Sequence, residues 1–316
     1  MSNFVFNNPA FQQQDPRNVA TYPGAAKGQQ QGQYAPPPAP GAAANSASFQ
    51  HAGVNAAAQA NLEGMYAAPP AGAIETDRMT VEDTIWKTAG LFGIMLVTAV
   101  VGWIWTLSSF DPTTMRMDLM PWMIGALGGF ILAMVVTFTS RKKVRPALIF
   151  AYAAFEGLFV GAISAYFETI FPGVVMQATL ATVAVVGVTL ALFASGKVRA
   201  SAKMNKIVLI AMLGYLGFSV LNLILMWTNV LPADLMFGMR SAPSPLFGIP
   251  WGVLIGIVVV FLAAYSLVMD FDNIQKGVRN GAPRKYGWLG AFGIMVTVVW
   301  LYVEILRMLA ILRGND

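Results

Sequence analysis

The sequence contains no cysteine, and its only histidine is His51. These absences exclude disulfides, thiolate metal sites and histidine-rich metal clusters, and they remove most pairs of nucleophile and base that hydrolytic enzymes use. Charge is also scarce, because 11% of the residues are charged whereas soluble domains carry about 25%. Since 56% of the residues are hydrophobic, the chain has more apolar surface than a soluble fold can bury. We therefore predict an integral membrane protein that is not an enzyme and has no cofactor and no stable metal site.

The net charge of +5 does not by itself indicate a nucleic-acid partner. The lysines and arginines lie between apolar runs, and they form no basic patch interleaved with aromatic residues. We expect no nucleic-acid binding, and we expect these residues to flank membrane spans.

Residues 1–75 have the composition of a disordered segment. Gln, Ala, Pro, Gly and Asn dominate, as in QQQGQ at 29–33 and APPPAP at 35–40. Such a segment cannot bury enough apolar surface to offset the entropy lost on folding. We predict a disordered cytosolic tail that serves as a tether, with a partner-binding role for short clusters at 8–11 and 62–66 as the alternative.

Residues 76–316 are predicted to form a seven-helix transmembrane domain. Thr80 has the type and position of an N-cap, with Asp83 three residues on. Apolar runs of about 20 residues follow, the length that crosses about 30 Å of hydrocarbon as a helix. They must be helical because lipid offers the backbone no hydrogen-bond partner. The runs lie at 86–107, 121–140, 145–167, 174–194, 207–228, 249–270 and 288–312.

The basic residues predict the orientation of these spans through the positive-inside rule. The first, third and fifth connections contain only Arg116 and Arg240. The even connections contain Arg141, Lys142, Lys143, Arg145, Lys197, Arg199, Lys203, Lys206, Lys276, Arg279, Arg284 and Lys285. We therefore expect a multi-pass protein of the cell (inner or plasma) membrane, with a cytosolic N-terminus and the C-terminus outside.

Two pairs of glycines have the spacing that lets helices approach closely. Gly157 and Gly161 lie in the third span, and Gly252 and Gly256 lie in the sixth. Packing within one bundle is the favoured interpretation, and dimerisation is the alternative.

Several carboxyl groups fall within or at the ends of the spans, where an ionised group costs about 2.5–3.5 kcal/mol. They are Glu156, Asp270, Asp272 and Glu304. An ion pair with Arg307 is one interpretation for Glu304, because residues at i and i+3 share a helix face. A solvated helix end is one interpretation for Asp270 and Asp272. Glu156 has no partner nearby in sequence, so a functional role is at least as well supported for it as a purely structural one.

The segments around these acids resemble the Bax inhibitor-1 family of transmembrane proteins. The resemblance rests on YSLVMDFDNI at 265–274, LYVE at 301–304, and Glu156-Gly157 with Gly161. It covers residues 76–316 and is nearest to a bacterial, actinobacterial-type branch with a disordered N-terminal tail. The resemblance implies an all-α bundle of seven transmembrane helices with the last helix central.

The resemblance also implies a function, namely a pH-dependent leak of calcium through a pair of acids on the last two helices. Matched residue by residue, Asp270 corresponds to the first acid and Glu304 to the second. This chain has Glu304 where the family usually has Asp, and a longer connection between the two helices. For the acids to meet, the seventh helix must begin in the cytosol or the sixth must be displaced.

If the two acids share a poorly hydrated site, they are expected to hold one proton between them. Arg141 or Arg145 would compete for the deprotonated form, as would Arg307, and pH would shift a closed-to-open equilibrium. Calcium prefers six to eight oxygen ligands, so Asp270 and Glu304 would bind it only transiently. The expected partners are thus the bilayer and calcium or other cations.

Two other function classes stay open. Relatives are associated with control of membrane-protein degradation and of cell death, which implies a membrane-embedded regulator that binds another membrane protein. A proton-coupled transporter is the other alternative.

Overall fold

Seven long helices make up most of the part of the chain that a computed structural model describes. The described residues are 77–111, 117–228, 230–232, 235–245 and 248–314. In chain order the helices are α1 Val81–Ser108, α2 Met120–Thr139, α3 Pro146–Ile170, α4 Val174–Ala194, α5 Ala202–Trp227, α6 Trp251–Arg279 and α7 Gly287–Arg313. Short 3-10 turns at Gly238–Arg240 and Arg284–Tyr286 precede α6 and α7. The predicted tail at 1–75 lies outside the described residues.

All seven helices are long and apolar enough to cross a membrane, as the sequence predicted. The largest departure from the predicted spans is in α6, which continues past Asp270 to Arg279. Its 29 residues correspond to ~43 Å at 1.5 Å per residue, which exceeds a hydrocarbon core of about 30 Å. Because the sequence from Asn273 onward is polar, this last part of the helix extends beyond the apolar layer.

The N-terminus of α1 is joined to the connection between α6 and α7. Thr80 caps the helix as predicted, and its Oγ1 accepts a hydrogen bond from the Asp83 backbone N–H at 3.0 Å. The Asp83 carboxylate forms an ion pair with Lys87 and accepts bonds from Arg284 Nε and Nη2 at 3.0 and 2.8 Å. Lys87 also donates to the Arg284 carbonyl oxygen at 2.8 Å. This network connects the first and last helices at one end of the bundle.

Close helix crossings occur where the sequence has paired glycines. A Cβ atom at Gly157 would overlap the carbonyl oxygen of Met95, and one at Gly161 would overlap that of Ala99. Both glycines therefore allow α3 to lie directly against the backbone of α1. Gly252 lets the first turn of α6 lie against the connection that precedes it and against α7, since a Cβ there would lie 2.8 Å from the Arg240 carbonyl oxygen and 2.5 Å from Ile311 Cδ1. The prediction that these glycines pack within one bundle is confirmed.

The last helix, α7, lies at the centre of the bundle. It packs against α1, α3, α4 and α6, and it is the most buried of the seven spans. One cluster of buried side chains groups its first half with α1 and α3, around Phe292 and Met295. A second groups its later half with α3, α4 and α6, around Leu301 and Leu306. By contrast, α5 is the least buried span.

Candidate functional site

The carboxylate of Asp270 lies inside the bundle, between α6 and α7. Its side chain is 2% exposed, and Oδ2 accepts a hydrogen bond from Thr297 Oγ1 at 2.6 Å. Ser266 lies one turn earlier on α6 and is also buried. A solvated helix end therefore does not describe Asp270, because α6 continues beyond it and α7 covers it.

The carboxylate of Glu304 is also 2% exposed and joins α7 to α5. Its Oε2 accepts hydrogen bonds from the Tyr215 hydroxyl at 2.5 Å and from Arg307 Nη1 at 2.6 Å. The same Arg307 nitrogen donates to the Tyr215 oxygen at 2.9 Å. The ion pair expected from the i, i+3 spacing is thus present, and the tyrosine of a neighbouring helix completes it.

A second arginine extends this group of polar side chains. Arg240, at the end of a 3-10 turn, donates from Nη2 to Ser219 Oγ at 2.6 Å. Its guanidinium lies over the ring of Tyr215, with 5.2 Å to the ring centroid. We call Tyr215, Ser219, Arg240, Glu304 and Arg307 the Glu304 cluster. It contains two guanidinium groups and one carboxylate, so it carries an excess of positive charge when Glu304 is ionised.

Asp270 and Glu304 belong to separate hydrogen-bonded groups. Thr297, which faces Asp270, lies two helical turns before Glu304 on α7, or about 10 Å along the axis. In an antiparallel pair of helices, residues equally distant from the connection face each other, and this places Ala263 rather than Asp270 near the level of Glu304. Ala263 indeed packs in the same buried cluster as Leu301 and Ile305. The two acids are therefore linked through α7 and are not in direct contact.

Asp272 occupies a different environment from Asp270. Its Oδ2 lies 2.7 Å from Lys276 Nζ, one turn further along α6. The lysine side chain is about half exposed. Asp272 therefore belongs to the polar end of α6, as the solvated-end interpretation proposed.

Glu156 lies apart from both groups, where α3 crosses α2. It is partly buried, and a Cβ atom at Gly129 would lie 2.8 Å from its Oε2. The glycine therefore makes room for the carboxylate between the two helices.

The two arginines predicted as partners of the acidic pair, Arg141 and Arg145, are exposed in the α2–α3 connection. The basic residue bonded to Glu304 is Arg307 instead. In the described part of the chain, no three acidic or histidine side chains come together as ligands for a metal ion.

Several residues of this region were not identified from the sequence, among them Thr297, Tyr215, Ser219 and Arg240. Thr297 and Tyr215 each place a hydroxyl group within an apolar run. A hydroxyl in such a run could have indicated a partner for a buried acid, because a buried carboxylate needs a hydrogen-bond donor. Arg240 was counted only as a basic residue of the fifth connection, in predicting the orientation of the spans. Its burial depends on the path of an irregular connection, which hydropathy does not predict.

Comparison with known proteins gives one match. A family model described as Bax inhibitor 1 like matches residues 8–314, nearly the whole chain. No curated protein and no solved structure matches the chain. The match agrees with the resemblance found in the sequence around the buried acids.

Proposed function

This chain belongs to the Bax inhibitor 1 like family and is a multi-pass protein of the lipid bilayer, and on that premise we propose that it is a pH-sensitive leak pathway for cations, above all calcium. The observation that carries the proposal is the burial of two carboxylates, Asp270 and Glu304, on the adjacent helices α6 and α7. Buried carboxyl groups on membrane-spanning helices mark ion or proton pathways in membrane proteins. We place the protein in the cell membrane with its N-terminus in the cytosol.

The described arrangement corresponds to the closed state of this pathway. Both carboxylates are 2% exposed, so neither is accessible to a hydrated cation. Glu304 holds α5 and α7 together through Tyr215, and Arg307 neutralises it. Asp270 holds α6 and α7 together through Thr297.

Protonation of Glu304 is the proposed opening step. The charged form attracts Arg307, and the neutral form does not, so protonation weakens the contact between the two side chains. Arg307 is 26% exposed and can then turn towards water. Because Arg307 also donates to the Tyr215 hydroxyl of α5, its departure removes one contact between α5 and α7, and the equilibrium shifts towards an open state.

Calcium would pass by exchanging water for oxygen ligands along α6 and α7. The side-chain oxygens available are those of Asp270, Thr297, Glu304 and Tyr215, and Asp272 stands near the polar end of α6. Calcium prefers six to eight oxygens at 2.3–2.6 Å, so this set would bind it only transiently. Weak binding suits conduction, because an ion must leave each site as readily as it enters. Glu156 lies apart from this route, between α2 and α3, and in this proposal it has no contact with the passing ion.

Calcium flux into liposomes that contain the purified protein tests the proposal. Flux is measured from about pH 8 to pH 6 for the parent and for Asp270→Asn, with empty liposomes as background. We expect parental flux to rise as the pH falls and Asp270→Asn to alter its dependence on pH. Glu82→Gln is the matched control, because Glu82 is an exposed acid in the first turn of α1.

Two results would contradict the proposal in different ways. Absence of flux at every pH, with capture of a membrane protein by the same preparation, would favour the regulator. Saturable uptake of a substrate driven by a proton gradient would favour the transporter.

A further inference from the structure

We propose that a groove between α5 and α6 binds an anionic phospholipid, with an acyl chain along the groove and the phosphate beside Arg240. This site adjoins the Glu304 cluster, with which it shares Tyr215 and Arg240, but the inference does not depend on ion conduction.

The groove has the size and chemistry of an acyl-chain site. Its volume is about 410 Å³, within the range of about 300–1,000 Å³ that is typical of small-molecule sites. Its lining is almost entirely apolar and includes Tyr215, Phe218, Trp251, Leu254, Ile255 and Val258. The groove opens to the outside of the bundle, along the helix that has the least protein around it. Lipid chains are therefore its immediate surroundings.

The length and depth of the groove fit one leaflet. Its lining on α6 runs from Trp251 to Leu262, which is ~16 Å at 1.5 Å per residue, about half of a hydrocarbon core of ~30 Å. Trp251 begins α6 at one end of the groove, and indole rings are favoured at the membrane interface. In the predicted orientation the groove lies in the outer leaflet.

Arg240 lies at that same end of the groove. Its guanidinium is placed over the rings of Tyr215 and Phe218, both of which line the groove, with 5.2 and 5.4 Å to the ring centroids. A Cβ atom at Gly252 would lie 3.0 Å from Arg240 Cβ. Arg240 is therefore packed between α5 and the first turn of α6.

Arg240 and Arg307 together carry more positive charge than the Glu304 carboxylate balances. Arg240 is 7% exposed, and its Nε has no hydrogen-bond partner within the described part of the chain. A buried donor without a partner is costly. Among the described residues, Arg307 and Arg240 together face one carboxylate, that of Glu304. A phosphate diester supplies both the missing acceptor and the missing negative charge, and its acyl chain fills the adjoining groove.

Native mass spectrometry of the detergent-solubilised protein tests the proposal with two lipids, phosphatidylglycerol and phosphatidylcholine. The two share acyl chains and differ in net charge. We expect the parent to bind one phosphatidylglycerol in preference, and Arg240→Gln to reduce that preference about fivefold, the effect of one interfacial cation. Lys206→Gln is the matched control, because it removes an exposed cation near the opposite end of α5.

A second variant keeps the test decisive if Arg240→Gln fails to fold. Ile255→Trp fills the groove and leaves Arg240 in place, and we expect it to lose the tightly bound phosphatidylglycerol. Equal affinity of the parent for both lipids would overturn the proposal. So would an unchanged preference in Ile255→Trp, an equal loss in Lys206→Gln, or a dimer of the chain in place of the lipid adduct.

Discussion

Asp270 and Glu304 differ in the partners that hold each carboxylate inside the bundle. Glu304 has a cation, Arg307, and a tyrosine hydroxyl. Asp270 has the hydroxyl of Thr297 among its partners. A charge at bilayer depth is tolerated when it is paired and hydrogen-bonded. The two acids should therefore respond differently to the loss of a neighbour.

Replacement of Tyr215 by Phe should increase leak at neutral pH. The change removes a hydroxyl that donates to Glu304 and accepts from Arg307, and one hydrogen bond in such a setting is worth ~1 kcal/mol. The population of the closed state relative to the open state should fall about fivefold. Calcium flux into liposomes measures this change. Tyr265→Phe is the control, since its hydroxyl bonds Asn205 away from the Glu304 cluster. Equal flux in Tyr215→Phe and the parent would show that this contact does not hold the closed state.

Replacement of Thr297 by Val should destabilise the folded protein by about 1–3 kcal/mol, because Asp270 loses a buried donor while the shape of the side chain is kept. Thermal unfolding in detergent measures the effect. Thr228→Val makes the same chemical change at the exposed end of α5 and should leave the unfolding temperature nearly unchanged. An equally small change in Thr297→Val would mean that the bond to Asp270 contributes little to stability.

At the scale of the elements, backbone contact between α1 and α3 forms one side of the bundle. Gly157 and Gly161 make that contact possible. Both could be identified from spacing alone, because GxxxG on an apolar helix has few other uses.

Replacement of Gly161 by Ala should separate α1 from α3. The added methyl group would overlap the carbonyl oxygen of Ala99, and overpacking of this kind costs about 1–3 kcal/mol. The thermal unfolding temperature in detergent should fall. Gly187→Ala, where a Cβ meets open space, should leave stability unchanged or raise it slightly through helix propensity. A neutral Gly161→Ala variant would contradict the close crossing.

The helices also show which parts of the candidate site could be predicted from the sequence. Hydropathy and length predicted all seven spans, because a bilayer imposes a fixed length on apolar helices. Asp270 and Thr297 face each other because they lie at nearly equal distances from the α6–α7 connection. The family resemblance pairs Asp270 with Glu304 instead, and the length of the connection left open whether those two acids meet. The approach of Tyr215 and Arg240 depends on how α5 and an irregular connection pack, and no periodicity encodes that.

At the scale of the whole molecule, the distribution of basic residues determines which end of the bundle meets the cytosol. The network of Asp83, Lys87 and Arg284 joins the start of α1 to the α6–α7 connection. In the predicted orientation this network lies on the cytosolic side, and Arg240 and the groove of α5 and α6 lie near the outer side.

Single cysteines can test this orientation without background, because the chain contains no cysteine. Lys142→Cys lies in the α2–α3 connection, and Val230→Cys lies in the α5–α6 connection; both positions are exposed. A membrane-impermeant maleimide should label Val230→Cys in intact cells, and it should label Lys142→Cys only after the membrane is permeabilised. The reverse labelling pattern would invert the assignment.

The central claim is that protonation of the buried Glu304 carboxyl controls the leak, and the pH dependence of calcium flux in Glu304→Gln tests it most directly. Glutamine keeps the shape of the side chain and, like the protonated acid, lacks the charge that attracts Arg307. The account predicts that this variant conducts more strongly than the parent at neutral pH and that its flux changes less with pH than that of the parent. A variant whose flux rises as the pH falls, in parallel with that of the parent and of Glu82→Gln, would contradict it.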